Sequence, residues 1–190
     1  MRMVGTDEVE VERVLCAGLL ECDCGGVLRA WGRARERAVR RAGGGEDRCS
    51  PRRSRCSSCR RTHVLLPADS LLRRRDAVGV IGAALMVRAA GSSIASTAGR
   101  VVGVPFATVR GWLRRFAVVA GAVRARFTVL AHELDPLLGA IRSMGSVVGD
   151  AVEAIGVAAR AGALRLGPVD AWQFAASATS GRLLCNTSCP

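Results

Sequence analysis

Lysine and tyrosine are absent from this 190-residue chain, aromatic residues make up only 4%, and histidine occurs twice. With so few rings, a protein that stacks successive unpaired bases on aromatic platforms is disfavoured. All 28 basic residues are arginine. The codon bias of a GC-rich genome explains that, together with the abundant Ala, Gly and Val, so the choice of Arg over Lys carries no functional weight. The N-terminus is acidic and lacks a basic stretch followed by an apolar one, which excludes a signal peptide. A long uncharged apolar run is also missing. The longest weakly charged stretch, residues 77–99, carries Arg88 at its middle and Gly91-Ser92-Ser93 near its end. A central arginine in a lone spanning helix is costly, so no membrane span is expected. A cytoplasmic setting follows, and in a reducing compartment the eight cysteines read as metal ligands or free thiols rather than disulfides.

What is present is positive charge, placed unevenly. The net charge is +12. Residues 1–24 are net −4, residues 25–75 net +11, residues 76–127 net +6 and residues 128–190 net −1. The middle of the chain is therefore the part that faces a polyanion. Hydrophobic residues at 49% suffice for a core, and the length suits one or two domains.

Residues 95–114 read as two short helices joined by a tight turn. Gly103 falls where the turn needs positive φ, and Gly99 where two helices cross closely. Val102, Val104, Val109 and Trp112 are the apolar contacts between them. This is helix-turn-helix spacing, in which the second helix lies in the DNA major groove. Its outward face would carry Ala107, Arg110, Gly111 and Arg114, with Thr108 and Arg115 at the flanks toward phosphates. The alternative is an ordinary helical hairpin with a solvated basic face.

Cys22-Asp23-Cys24 and Cys56-Ser57-Ser58-Cys59 form two close pairs on separate turns, able to place four thiolates tetrahedrally around zinc. The first pair is one residue shorter than C-x-x-C, and Cys49, Cys16 and His63 stand as substitutes for Cys22. A small β-rich segment with little apolar content needs such a staple. Cys185 and Cys189 read as free thiols. His63 lies four residues from Cys59, but no motif of nucleophilic catalysis surrounds them. No acid–base constellation stands out either, so an enzyme is not expected.

The pattern along the chain gives an α+β organisation: a small β zinc ribbon, an all-α tri-helical helix-turn-helix domain and extra C-terminal helices. Residues 1–21 are an acidic segment in which alternation at Val9-Glu10-Val11-Glu12 suggests a strand. Residues 22–67 form the ribbon-like module, with strands near 28–31, 37–40, 52–55 and 62–66 and a flexible loop at 41–47. Its Arg52, Arg53 and Arg55 would touch a nucleic-acid backbone without sequence preference. Residues 71–127 hold the three helices: one from 77 to about 90 capped by Asp76, one capped by Ser92 or Ser93, and one from Phe106 to about Arg126 with Val109, Leu113 and Phe116 buried. Residues 128–180 continue as helices that start at Asp135-Pro136, Ser146 and Asp170, with a break at Gly167-Pro168. Residues 181–190 are an irregular tail. The C-terminal helices either cover the tri-helical core or form a homodimer interface.

Cys24-Gly25-Gly26, Trp31-Gly32, the segment from Arg52 to Cys56, the segment from Arg61 to Pro67 and that from Gly103 to Arg115 together resemble an uncharacterised actinobacterial family with a zinc ribbon followed by a helix-turn-helix. The same order resembles the N-terminal DNA-binding region of insertion-sequence transposases. The resemblance spans residues 20–127 and the segment 181–185. It implies double-stranded DNA binding, a mobile-element origin, a nucleoid location and zinc at Cys22, Cys24, Cys56 and Cys59. The chain departs from the pattern at the C-x-C pair and at Pro105, where Ser or Thr often caps the recognition helix. The 63 residues after the third helix show no strand–helix alternation, so a metal-dependent transposase core with three carboxylates has no place here. The expected function is a transposase-related recognition module or small transcriptional regulator. The competing expectation is a zinc-stapled protein-interaction adaptor that does not read DNA.

Overall fold

The computed structural model describes residues 1–185 of the chain. Residues 186–190 of the expected tail, Cys189 among them, lie outside the described residues. The fold is mixed α+β. β1 (Arg2–Val4) leads into α1 (Glu8–Cys16), and then β2 (Leu28–Arg33), β3 (Arg37–Arg40), β4 (Glu46–Cys49), β5 (Arg52–Cys56) and β6 (Thr62–Pro67) follow. The remainder is helical: α2 (Val78–Ala89), α3 (Ile94–Gly99), α4 (Phe106–Leu134), α5 (Val147–Leu166) and α6 (Ala171–Ala178).

Four strands make one sheet in the order β1-β6-β5-β2. β1 runs parallel to β6, and β6, β5 and β2 are successively antiparallel. The register places Leu28 opposite Cys56 and Ser54 opposite His63. β3 and β4 form a separate hairpin. That hairpin docks on the chain ahead of α2, where Arg40 exchanges backbone hydrogen bonds with Arg75 and Ala77.

Two cores result. The larger is built by α2 to α6, and Val39 of the hairpin and Leu183 and Leu184 after α6 pack into it. The smaller lies between α1 and the sheet and consists of Val11, Leu15, Cys22, Leu28, Cys56 and Leu65. α4 buries Val109, Trp112, Leu113, Phe116, Ala120, Val123, Phe127 and Ala131. This three-and-four spacing gives one continuous apolar stripe along 29 residues. α5 meets it with a small-residue face that includes Ala151, Ala154, Ala158 and Ala161, so the helices approach closely.

Several sequence expectations change. Residues 8–16 are a helix, not a strand. Asp7 caps it by accepting from the Val9 and Glu10 amides, which outweighs a short alternation. Asp76 does not cap α2. Ala77 occupies that position, and the Asp76 carboxylate is buried against Arg40 at 2.8 Å. No helix begins at Asp135-Pro136. Asp135 ends α4 and turns the chain through a bond from the Leu137 amide, leaving Leu137 95% exposed. The 41–47 loop contains a short 3-10 turn at Ala42–Gly44 and the start of β4. α4 runs eight residues beyond Arg126 because its apolar stripe continues through Phe127 and Ala131. Ser93, Ser146 and Asp170 cap their helices as expected.

Candidate metal centre and arginine-bearing helix

Two turns at one end of the sheet bring four cysteines together. Cys22 and Cys24 lie on the turn before β2, and Cys56 and Cys59 on the turn from β5 to β6. Each turn closes by a backbone bond from its first cysteine: the Cys22 amide donates to Gly26 O at 2.8 Å, and the Cys56 amide to Arg61 O at 2.9 Å. The first loop is one residue shorter, as the C-x-C spacing requires, yet it closes in the same way. Both turns place the residue after the second cysteine in the left-handed region, Gly25 at φ 79° and Arg60 at φ 62°. The Ser57 amide donates to Val27 O at 2.9 Å and ties the two turns together.

The four Sγ atoms all lie within 4.8 Å of one another. Cys22 Sγ is 3.7 Å from Cys59 Sγ, and Cys24 Sγ is 3.5 Å from Cys56 Sγ. Four zinc–sulfur bonds of about 2.3 Å in a tetrahedron set sulfurs about 3.8 Å apart. The donor set and its spacing therefore fit a metal ion of zinc's size and softness. Gly26 keeps the cluster open, since a Cβ there would stand 2.6 Å from Cys56 Sγ and 2.5 Å from Ser58 Oγ. The Gly26 amide, then the Cys56 and Cys59 thiols, pull Cys24 down to about 6, so it is largely thiolate at neutral pH. Cys59 accepts from the Arg61 amide, but burial and the neighbouring thiols outweigh that bond and push it up to about 11.

Of the alternative ligands, two stand apart from this quartet and the third touches one of its members. Cys16 is exposed on α1, and Cys49 ends β4, packed against the helical core. His63 is buried behind the cluster with Nε2 3.4 Å from Cys22 Sγ, and burial holds its pKa down. The sequence marks His63 as a possible substitute for Cys22, and it sits against Cys22 beside the cluster. The register of β6 against β5 creates this contact.

On the helical side, α3 and α4 are joined through Gly103 at φ 73°. Gly103 meets the hairpin turn, where its Cβ would come within 3.1 Å of Gly44 Cα. Val104, Val109 and Trp112 are buried as expected, whereas Val102 is 69% exposed. Gly99 is exposed with open space at its Cβ position, so no close helix crossing occurs there. Ala107, Arg110, Arg114 and Arg115 are exposed on the first turns of α4, and Thr108 and Gly111 are half-buried. Pro105 precedes the helix without any side-chain cap.

The sheet arginines differ among themselves. Arg53 and Arg55 alternate with buried Ser54 and Cys56, so they share the outer face of β5. The Arg55 guanidinium lies 4.6 Å from the Trp31 ring centroid. Arg52 turns the other way and is held by Glu12 of α1 at 2.7 Å. Among the described residues no helix is long and apolar enough to cross a membrane. No protein-family model matches the chain, and no curated protein or solved structure shows significant similarity to it.

Proposed function

We propose that the chain binds double-stranded DNA through α4 and is stapled by one zinc ion on Cys22, Cys24, Cys56 and Cys59. In this reading α3, the Gly103 turn and the start of α4 act as a helix-turn-helix, and the sheet as a zinc ribbon. The observation that carries it is the first turns of α4. Arg110 and Arg114 project one helical turn apart from an exposed face that also bears Ala107, while Val109, Leu113 and Phe116 anchor the opposite face in the core. Long guanidiniums beside a small residue suit close approach to base edges, where arginine pairs with guanine. Thr108 and Arg115 flank that face and suit phosphates.

Arg53 and Arg55, on the outer face of the sheet, add charge contacts of no sequence preference. Arg52 contributes only by giving up Glu12. The zinc holds the two cysteine turns in place and takes no part in reading DNA. Selection of bound duplexes from a random pool by the zinc-loaded chain tests the reading. Enrichment of a short motif containing guanines is expected. Uniform recovery of all sequences leaves the adaptor reading in its place.

A further inference from the structure

Arg73, Arg74 and Arg75 run across the first two turns of α4. A cleft of about 400 Å³ opens between the two segments, lined by these arginines, Asp76, Thr108 and Arg115 among others. Its one lining carboxylate is already engaged, because Asp76 is 3% exposed and bound to Arg40. Arg75 reaches Glu46 at 3.0 Å. Among the described residues, no carboxylate pairs with Arg73, Arg74 or Arg115. Three guanidiniums thus border one cleft with no carboxylate paired directly to any of them, Asp76 acting on Arg74 only at longer range.

Their positions are fixed by the fold. Arg74 Nη2 donates to Leu184 O at 3.0 Å, and Arg74 O accepts from Arg37 Nη1 at 3.4 Å. Arg74 Nε is shut off from solvent and has no acceptor among the described residues. Burial, and then the charge of Arg115, pushes the Arg74 guanidinium below its ordinary value. Arg73 holds a left-handed backbone at φ 58°. Gly111 leaves room for Arg115 to fold back, since a Cβ there would lie 3.1 Å from Arg115 Nη1. The uncapped start of α4 adds the positive end of a long helix dipole.

We propose that this cleft is a phosphate-binding site in which Arg73, Arg74 and Arg115 hold one phosphate group and the Thr108 hydroxyl donates to it. Planar guanidiniums match phosphate oxygens in paired hydrogen bonds. The anion relieves the repulsion among the three arginines. If the chain binds duplex DNA, the group is a backbone phosphate, and clamping it sets the depth of α4 in the groove. Only this choice of source rests on the duplex reading, since a free phosphate presents the same oxygens.

The test compares the zinc-loaded full chain with the double variant Arg73→Ala/Arg115→Ala. Both side chains are exposed, and circular dichroism checks that the fold is kept. Arg160→Ala, remote from the cleft and paired with Glu153, is the control. Inorganic phosphate, against chloride at equal ionic strength, is expected to raise the melting temperature of the wild type and the control saturably. The double variant is expected to need at least tenfold more phosphate for the same rise. In duplex titrations its dependence of log affinity on log salt is expected to flatten by about one unit, the loss of one phosphate contact. Loss of the phosphate response with an unchanged duplex slope assigns the site to free phosphate. Loss of both assigns it to the nucleic-acid backbone. A phosphate response without any duplex binding upholds the cleft and overturns the duplex reading. The site itself is overturned if phosphate leaves the wild type unchanged or moves wild type and double variant alike.

Discussion

Gly82 lies against the indole of Trp172, and a Cβ there would clash with the ring. α2 can receive α6 only because this position has no side chain. Gly82→Ala is expected to lower stability by about 1–3 kcal/mol, the usual range for overpacking, and a thermal melt reads it as a lower midpoint. An unchanged midpoint would mean that Trp172 is not seated there. Asp150 offers a test by pH. Its carboxylate accepts from the Met144 amide at 2.6 Å and from Ser143 Oγ at 3.1 Å, with Arg124 3.0 Å away. The Met144 amide first, then Ser143 and Arg124, hold its pKa below the ordinary 3.8. A folded value below the unfolded one means the contribution is complete above 3.8 and fades as the pH falls through the lowered value. The stability difference between wild type and Asp150→Asn should therefore stay constant from neutral pH down to about pH 4 and shrink below it. A difference that shrinks between pH 7 and 5 would contradict this assignment.

At the scale of elements, the joint between α3 and α4 couples two parts of the chain that the sequence presents separately. Gly103 supplies the left-handed turn and also touches the hairpin at Gly44. Gly103→Ala is expected to cost about 1–3 kcal/mol through backbone strain. Hydrogen exchange should then show faster opening of both α4's first turn and the β3–β4 hairpin. Opening of the helix alone would mean the contact with the hairpin is weak. Elements with strong local signals were legible in the sequence. Ser93, Ser146 and Asp170 announce α3, α5 and α6, and Gly167 ends α5 at φ 80°. The four cysteines were legible too, because turn chemistry brings each pair together locally. Long-range contacts were not. Asp76 looks like a cap until Arg40, 36 residues earlier, is seen to take its carboxylate. Asp135-Pro136 carries a start signal, but no buried stripe follows it, and the chain turns instead. At α1 the alternating valines pointed to a strand, although Asp7 and Glu10 already had the spacing of a capping box.

For the whole molecule, the division into two cores sets what metal removal does. The core beneath the sheet has six buried residues, two of them the proposed ligands Cys22 and Cys56. On the proposed reading so small a core depends on the metal, and structural zinc contributes apparent binding energies of about 10–16 kcal/mol in comparable peptides. Chelation is expected to melt β2, β5 and β6 and to leave α2 to α6 folded. The β3–β4 hairpin should remain protected, because Val39 packs in the helical core. Hydrogen exchange before and after chelation reads this pattern. Protection of β5 and β6 that survives complete metal removal would show that the cysteines do not staple the sheet.

The central claim, that α4 reads duplex DNA, is tested most directly by titrating the selected duplex and a scrambled one with wild type, Arg110→Ala and Arg114→Ala. Each variant should lose about 1–3 kcal/mol on the selected duplex and much less on the scrambled one, so that preference falls with affinity. Equal affinities for wild type and both variants on both duplexes would contradict the account, leaving Arg110 and Arg114 as residues that only keep an exposed helix in water.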